Sequence, residues 1–189
     1  MIPPASIQVR FCLFLDVVGF SGINDLEMEA FLNEFLGSLA GEIKDLEPLF
    51  ANTWGDAVLL VFDRAEPAGL AALRMQQLLA GNDSAFAGFG RELKLRIGIH
   101  GGPLVEGIDP FTGRPAFLGA NINRAARIEP VVEEGQIFVS QEFAALSEAE
   151  GVTSFRCLPQ GLVDLPKQGG RIRVYRLVAT SAALHPSMP

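Results

Sequence analysis

The chain has 189 residues, of which 49% are apolar and 20% charged, with 14 Phe against one Trp and one Tyr; that is the composition of one globular domain with a real core, and it excludes intrinsic disorder. Fifteen basic against 22 acidic residues give a formal charge of −7, which disfavours nonspecific nucleic-acid binding but not a small anion met locally by metal ions and arginines. No apolar run approaches the roughly 20 residues of a membrane span, the start MIPPASIQVRFCLFLD has no basic leader, and Cys12 and Cys157 form no disulfide framework, so the cytoplasm is the expected compartment with no membrane insertion.

Residues 7–16, IQVRFCLFLD, read as a central strand, apolar on both faces near its end. GFSG at 19–22 is a turn, and apolar residues from Asp25 to about Glu47 recur at helical spacing until Pro48. In LFANTWGDAVLLVF, Gly55-Asp56 is a hairpin signal between strands near 49–54 and 57–62. Pro67 opens a helix to about Leu79, 81–92 reads as a loop, and 93–102 is a strand whose hairpin partner is 102–108. A projecting loop over 109–117 precedes a helix at 120–129, a strand at 136–140 and a helix at 141–149. Terminal strands near 153–158 and 172–178 close the sheet. The expected fold is one α/β domain over 1–180, with helices packed on a mixed, mostly antiparallel sheet, and a flexible tail at 181–189.

Two acids stand out. Asp16 ends an apolar strand and Asp56 sits in a hairpin turn, each near a glycine. Brought together, two such carboxylates suit Mg²⁺ or Mn²⁺, which prefer hard oxygen ligands. The plainer alternative makes Asp56 an ordinary turn residue and Asp16 a strand-end cap. In GANINRAARIEP, Asn123 and Arg127 lie four apart and share a helical face. Arg127 presents a fork of donors suited to phosphate, and Asn123 can orient a ribose. The alternative there is a surface arginine paired with Glu129, and Arg124 reads as surface.

LFLDVVGFS at 13–21, NTWGDAVLLVF at 52–62, RIGIHGGPLVEG at 96–107 and FLGANINRAARIEP at 117–130 stand in an order and spacing that resemble the class III nucleotidyl cyclase catalytic domain over roughly residues 9–178. The resemblance implies a ferredoxin-like core working as a head-to-tail homodimer with two composite active sites. It implies two metal ions, Mg²⁺ or Mn²⁺, on Asp16 and Asp56, with Asn123 and Arg127 supplied from the opposite subunit. The ribose 3′-hydroxyl then attacks the α-phosphate of a nucleoside triphosphate and releases pyrophosphate. In GLVDLPKQGGRIRVYRL, Lys167 and Arg171 are candidates to reach the triphosphate, and His100 is structural.

Adenylate-forming members carry a lysine and an aspartate where this chain has Asn52 and Ala116. Trp54 shares a strand face with Asn52 and Asp56, where an indole shortens the base pocket or, alternatively, packs into the core. Asn52 can both donate and accept toward a pyrimidine edge. These departures look like the bacterial Pycsar pyrimidine cyclases, which implies UTP, favoured over CTP, as substrate. They also imply a cyclic UMP or CMP signal to a separate effector in anti-phage defence. The alternatives are an adenylate cyclase with altered base readers and a catalytically silent nucleotide-binding module.

Overall fold

The computed structural model describes residues 5–81, 89 and 92–180. Most of the expected 81–92 loop and the expected 181–189 tail lie outside these residues. Among the described residues there are eight strands: β1 (Ser6–Val18), β2 (Phe50–Trp54), β3 (Ala57–Phe62), β4 (Lys94–Ile108), β5 (Pro115–Leu118), β6 (Ile137–Ser140), β7 (Phe155–Asp164) and β8 (Arg171–Ala179). They form one sheet in the order β2-β3-β1-β4-β6-β8-β7, with β5 added to β4. Among the described residues only the β4–β6 pairing is parallel.

The first helical run comprises α1 (Met28–Ala30), a π-wound stretch over Phe31–Leu36 and α2 (Gly37–Glu42). It is followed by α3 (Ala65–Gly81), α4 (Ala120–Ile128) and α5 (Gln141–Ala149). Alternation along each strand divides the apolar residues between two faces. Phe11, Leu13, Leu15, Phe62, Ile97 and Ile99 turn to the face covered by the first helical run, α3 and α5, and build the main core. Cys12, Leu59, Val61 and Leu104 turn the other way, where Ala125 of α4 meets them.

Four expectations change. β4 is continuous through Gly101 and Gly102, where a hairpin was expected. Neither glycine has positive φ; they are small because Phe11 and Leu146 crowd Gly101 and the Asn121 side chain crowds Gly102. The projecting 109–117 loop is shortened by β5, which pairs Ile108 with Pro115. Asp16 lies within β1, which runs on to Val18, and does not end it. The helix containing Pro67 starts at Ala65, because proline is tolerated in a first turn whose N–H groups lack helical partners.

Candidate active site

The site lies on the α4 face of the sheet and follows from strand register. Asp16 pairs with Ala57 on β3 and with Arg96 on β4. The backbone N–H of Val17 donates to the Asp56 carbonyl at 3.2 Å, tying the β2–β3 turn to β1 beside Asp16. Arg96, Gly98, His100 and Gly102 alternate onto the same face of β4, where α4 lies along them. A Cβ on Gly98 would stand 2.6 Å from the Glu129 backbone nitrogen and 3.0 Å from the Ala125 carbonyl. Only glycine lets the end of α4 come so near.

That approach delivers Glu129, which the sequence offered only as a surface partner for Arg127. Its side chain is buried, 8% exposed, and it accepts from Arg96 Nε at 2.8 Å. Arg96 Nη2 donates to Asp16 Oδ2 at 2.6 Å, so one guanidinium bridges two acids through separate nitrogens. Burial pushes the Glu129 carboxyl up to about 7, and the negative charges of Asp16 and Asp56 push the same way while Arg96 opposes them. Asp16, Asp56 and Glu129 are therefore one electrostatic cluster. Arg96 and Glu129 were missed in the sequence because their pairing spans 33 residues; the glycine-bearing strand motif RIGIHGG and the RIEP segment were the available signals.

His100 is structural, as expected. Asn121 Nδ2 donates to the Pro103 carbonyl at 2.8 Å, which leaves Asn121 Oδ1 facing His100 Nε2 at 2.9 Å. Nε2 therefore carries the proton, and Nδ1 accepts from the Ser140 hydroxyl at 2.8 Å. Burial holds the imidazole below its usual range, the Asn121 bond and Glu142 oppose that, and Arg124 adds to it. Arg124 is half-buried and acts electrostatically here, contrary to its reading as plain surface.

A cavity of about 520 Å³ brings together Asn52, Trp54, Ala116 and Asn123, with Arg114 and Ile122. Phe50 packs against Phe117 with their rings tilted by 59° and centroids 5.6 Å apart, joining β2 to β5 at its wall. Trp54 is 55% exposed, so the core-packing alternative is incorrect; Phe14 supports its ring at 6.4 Å and 21°. An indole on an edge strand, held from below by one aromatic ring, presents its other face outward.

Arg127 lies outside that cavity wall, against the turn of residues 165–170. A Cβ on Gly169 would come within 3.0 Å of Arg127 Cδ. Lys167 is exposed in this turn at φ 52, and the turn is closed by Leu165 N–H donating to the Gly170 carbonyl at 2.8 Å. Arg171 is engaged by Asp164 through two bonds of 2.9 Å. Asp16 and the turn carrying Asp56 thus adjoin one another near Glu129, Asn52, Trp54, Ala116 and Asn123 line one cavity, and Arg127 adjoins the turn carrying Lys167.

The donor set suits a hard divalent ion. Asp16 is paired here with a cationic side chain, the Arg96 guanidinium, at 2.6 Å. Among the described residues no group of three or more His, Cys, Asp or Glu side chains is arranged as a metal cage. Mg²⁺ does not need one, since it commonly takes one or two carboxylates and completes its shell with water and substrate phosphates.

The Adenylate and Guanylate cyclase catalytic domain family profile matches residues 5–179. An adenylate cyclase of Anabaena cylindrica is 30% identical over 143 residues, covering 69% of this chain and 28% of that protein. The chain thus spans under a third of that relative's length. The adenylyl cyclase CyaB from P. aeruginosa superposes with a TM-score of 0.82 at 18% identity, covering 97% of this chain and 100% of the other. The guanylate cyclase domain of RhGC from Catenaria anguillulae, in complex with GTP, gives 0.78 at 21% identity, covering 95% and 100%. Among the described residues no helix is long and apolar enough to cross a membrane.

Proposed function

The chain belongs to the adenylate and guanylate cyclase catalytic domain family, and from that premise we propose a divalent-metal-dependent nucleotide cyclase that works as a homodimer on a pyrimidine triphosphate. The observation that carries the cyclase reading is that the Asp16 strand is bonded to the turn carrying Asp56, with both acids acting electrostatically on Glu129 at the end of α4, the helix that carries Asn123 and Arg127. Asp16 and Asp56 would hold two Mg²⁺ or Mn²⁺ ions, which would supply Lewis acidity toward the ribose 3′-hydroxyl and the phosphates.

The residues of the chain position and stabilise. Asn123, exposed at the cavity, orients the ribose so that its 3′-oxygen lies in line with the α-phosphorus. The 3′-oxygen forms its bond to phosphorus as the bond to the leaving pyrophosphate breaks, and the hydroxyl proton departs to solvent. Arg127 meets the negative charge that builds on the transferring group, with Lys167 in the adjacent turn directed at the triphosphate tail. One subunit offers the acids and its neighbour offers Asn123, Arg127 and the base pocket. A single chain supports this division because its acids and its cavity lie on one broadly uncovered sheet face.

For the base, support comes from the cavity wall. Asn52 and Ala116 stand where a charged purine reader would be needed, and the exposed Trp54 ring narrows the space beside them. A small base stacks on that ring while Asn52 meets its edge; UTP is favoured over CTP. The product, cyclic UMP, would signal to a separate effector, as in anti-phage defence. The match to adenylate and guanylate cyclases supports a second reading, an adenylate cyclase using ATP.

One experiment separates these readings. The purified protein is incubated with ATP, GTP, CTP and UTP separately, with Mn²⁺ and with Mg²⁺, and products are identified by mass. A cyclic pyrimidine nucleotide is expected to dominate, Asp16→Ala and Asp56→Ala to abolish turnover while remaining folded, and Trp54→Ala to erode the base preference. Cyclic AMP as the sole efficient product establishes the second reading, and full activity in either aspartate variant overturns the metal assignment.

A further inference from the structure

We infer that Arg96 is the resident counter-ion of the acidic site, occupying Asp16 until a divalent cation arrives, and that Glu129 is the positioning residue that draws it aside. This rests on the proposed metal role of Asp16 and Asp56 and adds two residues to which no part of the cyclisation step has been assigned.

The arrangement is fixed by the backbone at every point. Asp16 and Arg96 are ladder partners, so their pairing is set by the β1–β4 register and not by chance rotamers. Glu129 is held over β4 by the close approach at Gly98. Arg96 spends its Nε on Glu129 and its Nη2 on Asp16, at 2.8 and 2.6 Å. The guanidinium can therefore surrender one partner and keep the other, which a lysine ammonium could not do with the same geometry.

Charge explains why this matters. With Glu129 ionised, Asp16, Asp56 and Glu129 contribute three negative charges and Arg96 one positive, leaving two negative charges for an arriving divalent ion to meet. Without Arg96 the acids would face one another across a partly desolvated site. Without the Glu129 carboxylate, Arg96 would be committed to Asp16 alone and would compete fully with the metal. Glu129 also cannot move far, because its backbone nitrogen lies against Gly98. The guanidinium is thus a built-in placeholder on a short tether.

The test reads metal binding directly. Free Mn²⁺ is counted by electron paramagnetic resonance during titration of the full chain at about pH 8 without nucleotide, where Glu129 is ionised. Wild-type protein is expected to bind saturably and Asp16→Ala to lose binding. Glu129→Gln is expected to raise the Mn²⁺ dissociation constant about tenfold, the scale of one removed unit charge a few ångströms away at an effective dielectric near 20. Glu129→Asp keeps the charge and is expected to recover most of the affinity, which a merely structural role would not predict.

Equal affinity for Glu129→Gln and wild type overturns the inference while leaving the aspartate site standing. Loss of saturable binding in wild type overturns both. Should Glu129→Gln fail to fold, nitrogen-15 NMR of the wild-type Arg96 side chain during Mg²⁺ titration decides: the Nη signals are expected to shift while Nε–H stays protected. Arg96 signals unmoved at saturating Mg²⁺ sink the proposal.

Discussion

Glu129 shows most clearly how a single side chain couples the site to the fold. Its carboxyl titrates near 7 in the folded chain against an ordinary value of 4.5. A carboxyl raised in this way is favoured in its protonated form by folding, so its contribution is fully present below about pH 4.5 and is lost as pH rises through about 7. Wild-type protein should therefore lose stability from roughly pH 5 to pH 8 more steeply than Glu129→Gln, read as the urea midpoint at each pH. Equal slopes would return Glu129 to an unperturbed acid. The residue was visible in the sequence only as the Glu of RIEP. Nothing local distinguishes it from a surface acid, because its partner lies on another strand and its burial depends on a glycine 31 positions earlier. Asp16 and Asp56 were legible for the opposite reason: an acid after LFL and an acid after a turn glycine are locally costly or locally shaped. Trp54 was half legible, since alternation gave its face but not its exposure.

At the scale of elements, α4 and β4 form the unit on which the site depends. Arg96, Gly98, His100 and Gly102 make a track in which polar residues hold the helix and glycines admit it. Gly98→Ala should destabilise the protein by about 1–3 kcal/mol, the usual cost of forcing a methyl group into packed backbone. It should also weaken Mn²⁺ binding, because Glu129 would be lifted with the helix; differential scanning calorimetry and the same titration check both. The π-wound stretch Phe31–Leu36 is a second element feature, with Phe31 and Phe35 stacked at 5.3 Å and buried against the main core. Helical spacing in the sequence found that helix but could not show its widened turn. The two hairpin strands around Gly55 were legible because the turn chemistry is local. The continuity of β4 was not, because paired glycines signal a turn and a close approach equally well, and only the packing of Asn121, Phe11 and Leu146 decides between them.

At the scale of the molecule, the sheet is unequally clothed. Among the described residues the first helical run, α3 and α5 bury one face, while α4 crosses the other and Val132 and Leu165 extend the packing around Ile128. The exposed apolar residues Trp54 and Leu118 belong to strands bordering that cavity, and Phe111 to the turn beside it. If two copies complete one another there, mixing inactive Asp56→Ala with inactive Arg127→Ala chains should restore up to about a quarter of wild-type activity, since half of randomly formed dimers are mixed and each carries one intact site of two. Activity absent from demonstrated mixed dimers would refute shared sites. The mostly antiparallel fold was legible in the sequence as a whole, because strands and helices alternate with clear punctuation. How the acids and the arginine divide between copies is not written in any local pattern.

Strand β1 carries Asp16 in the middle of the sheet, laddered to β4 along all 13 of its residues and to β3 from Phe11 to Asp16. Such a strand opens only when the domain as a whole opens, so the backbone beneath the acid belongs to the slowest-exchanging part of the molecule. Whatever breathing a catalytic cycle demands must then come from rotating side chains, from the exposed turn of residues 165–170, or from one copy rocking against another. The floor stays still, and the walls do the moving.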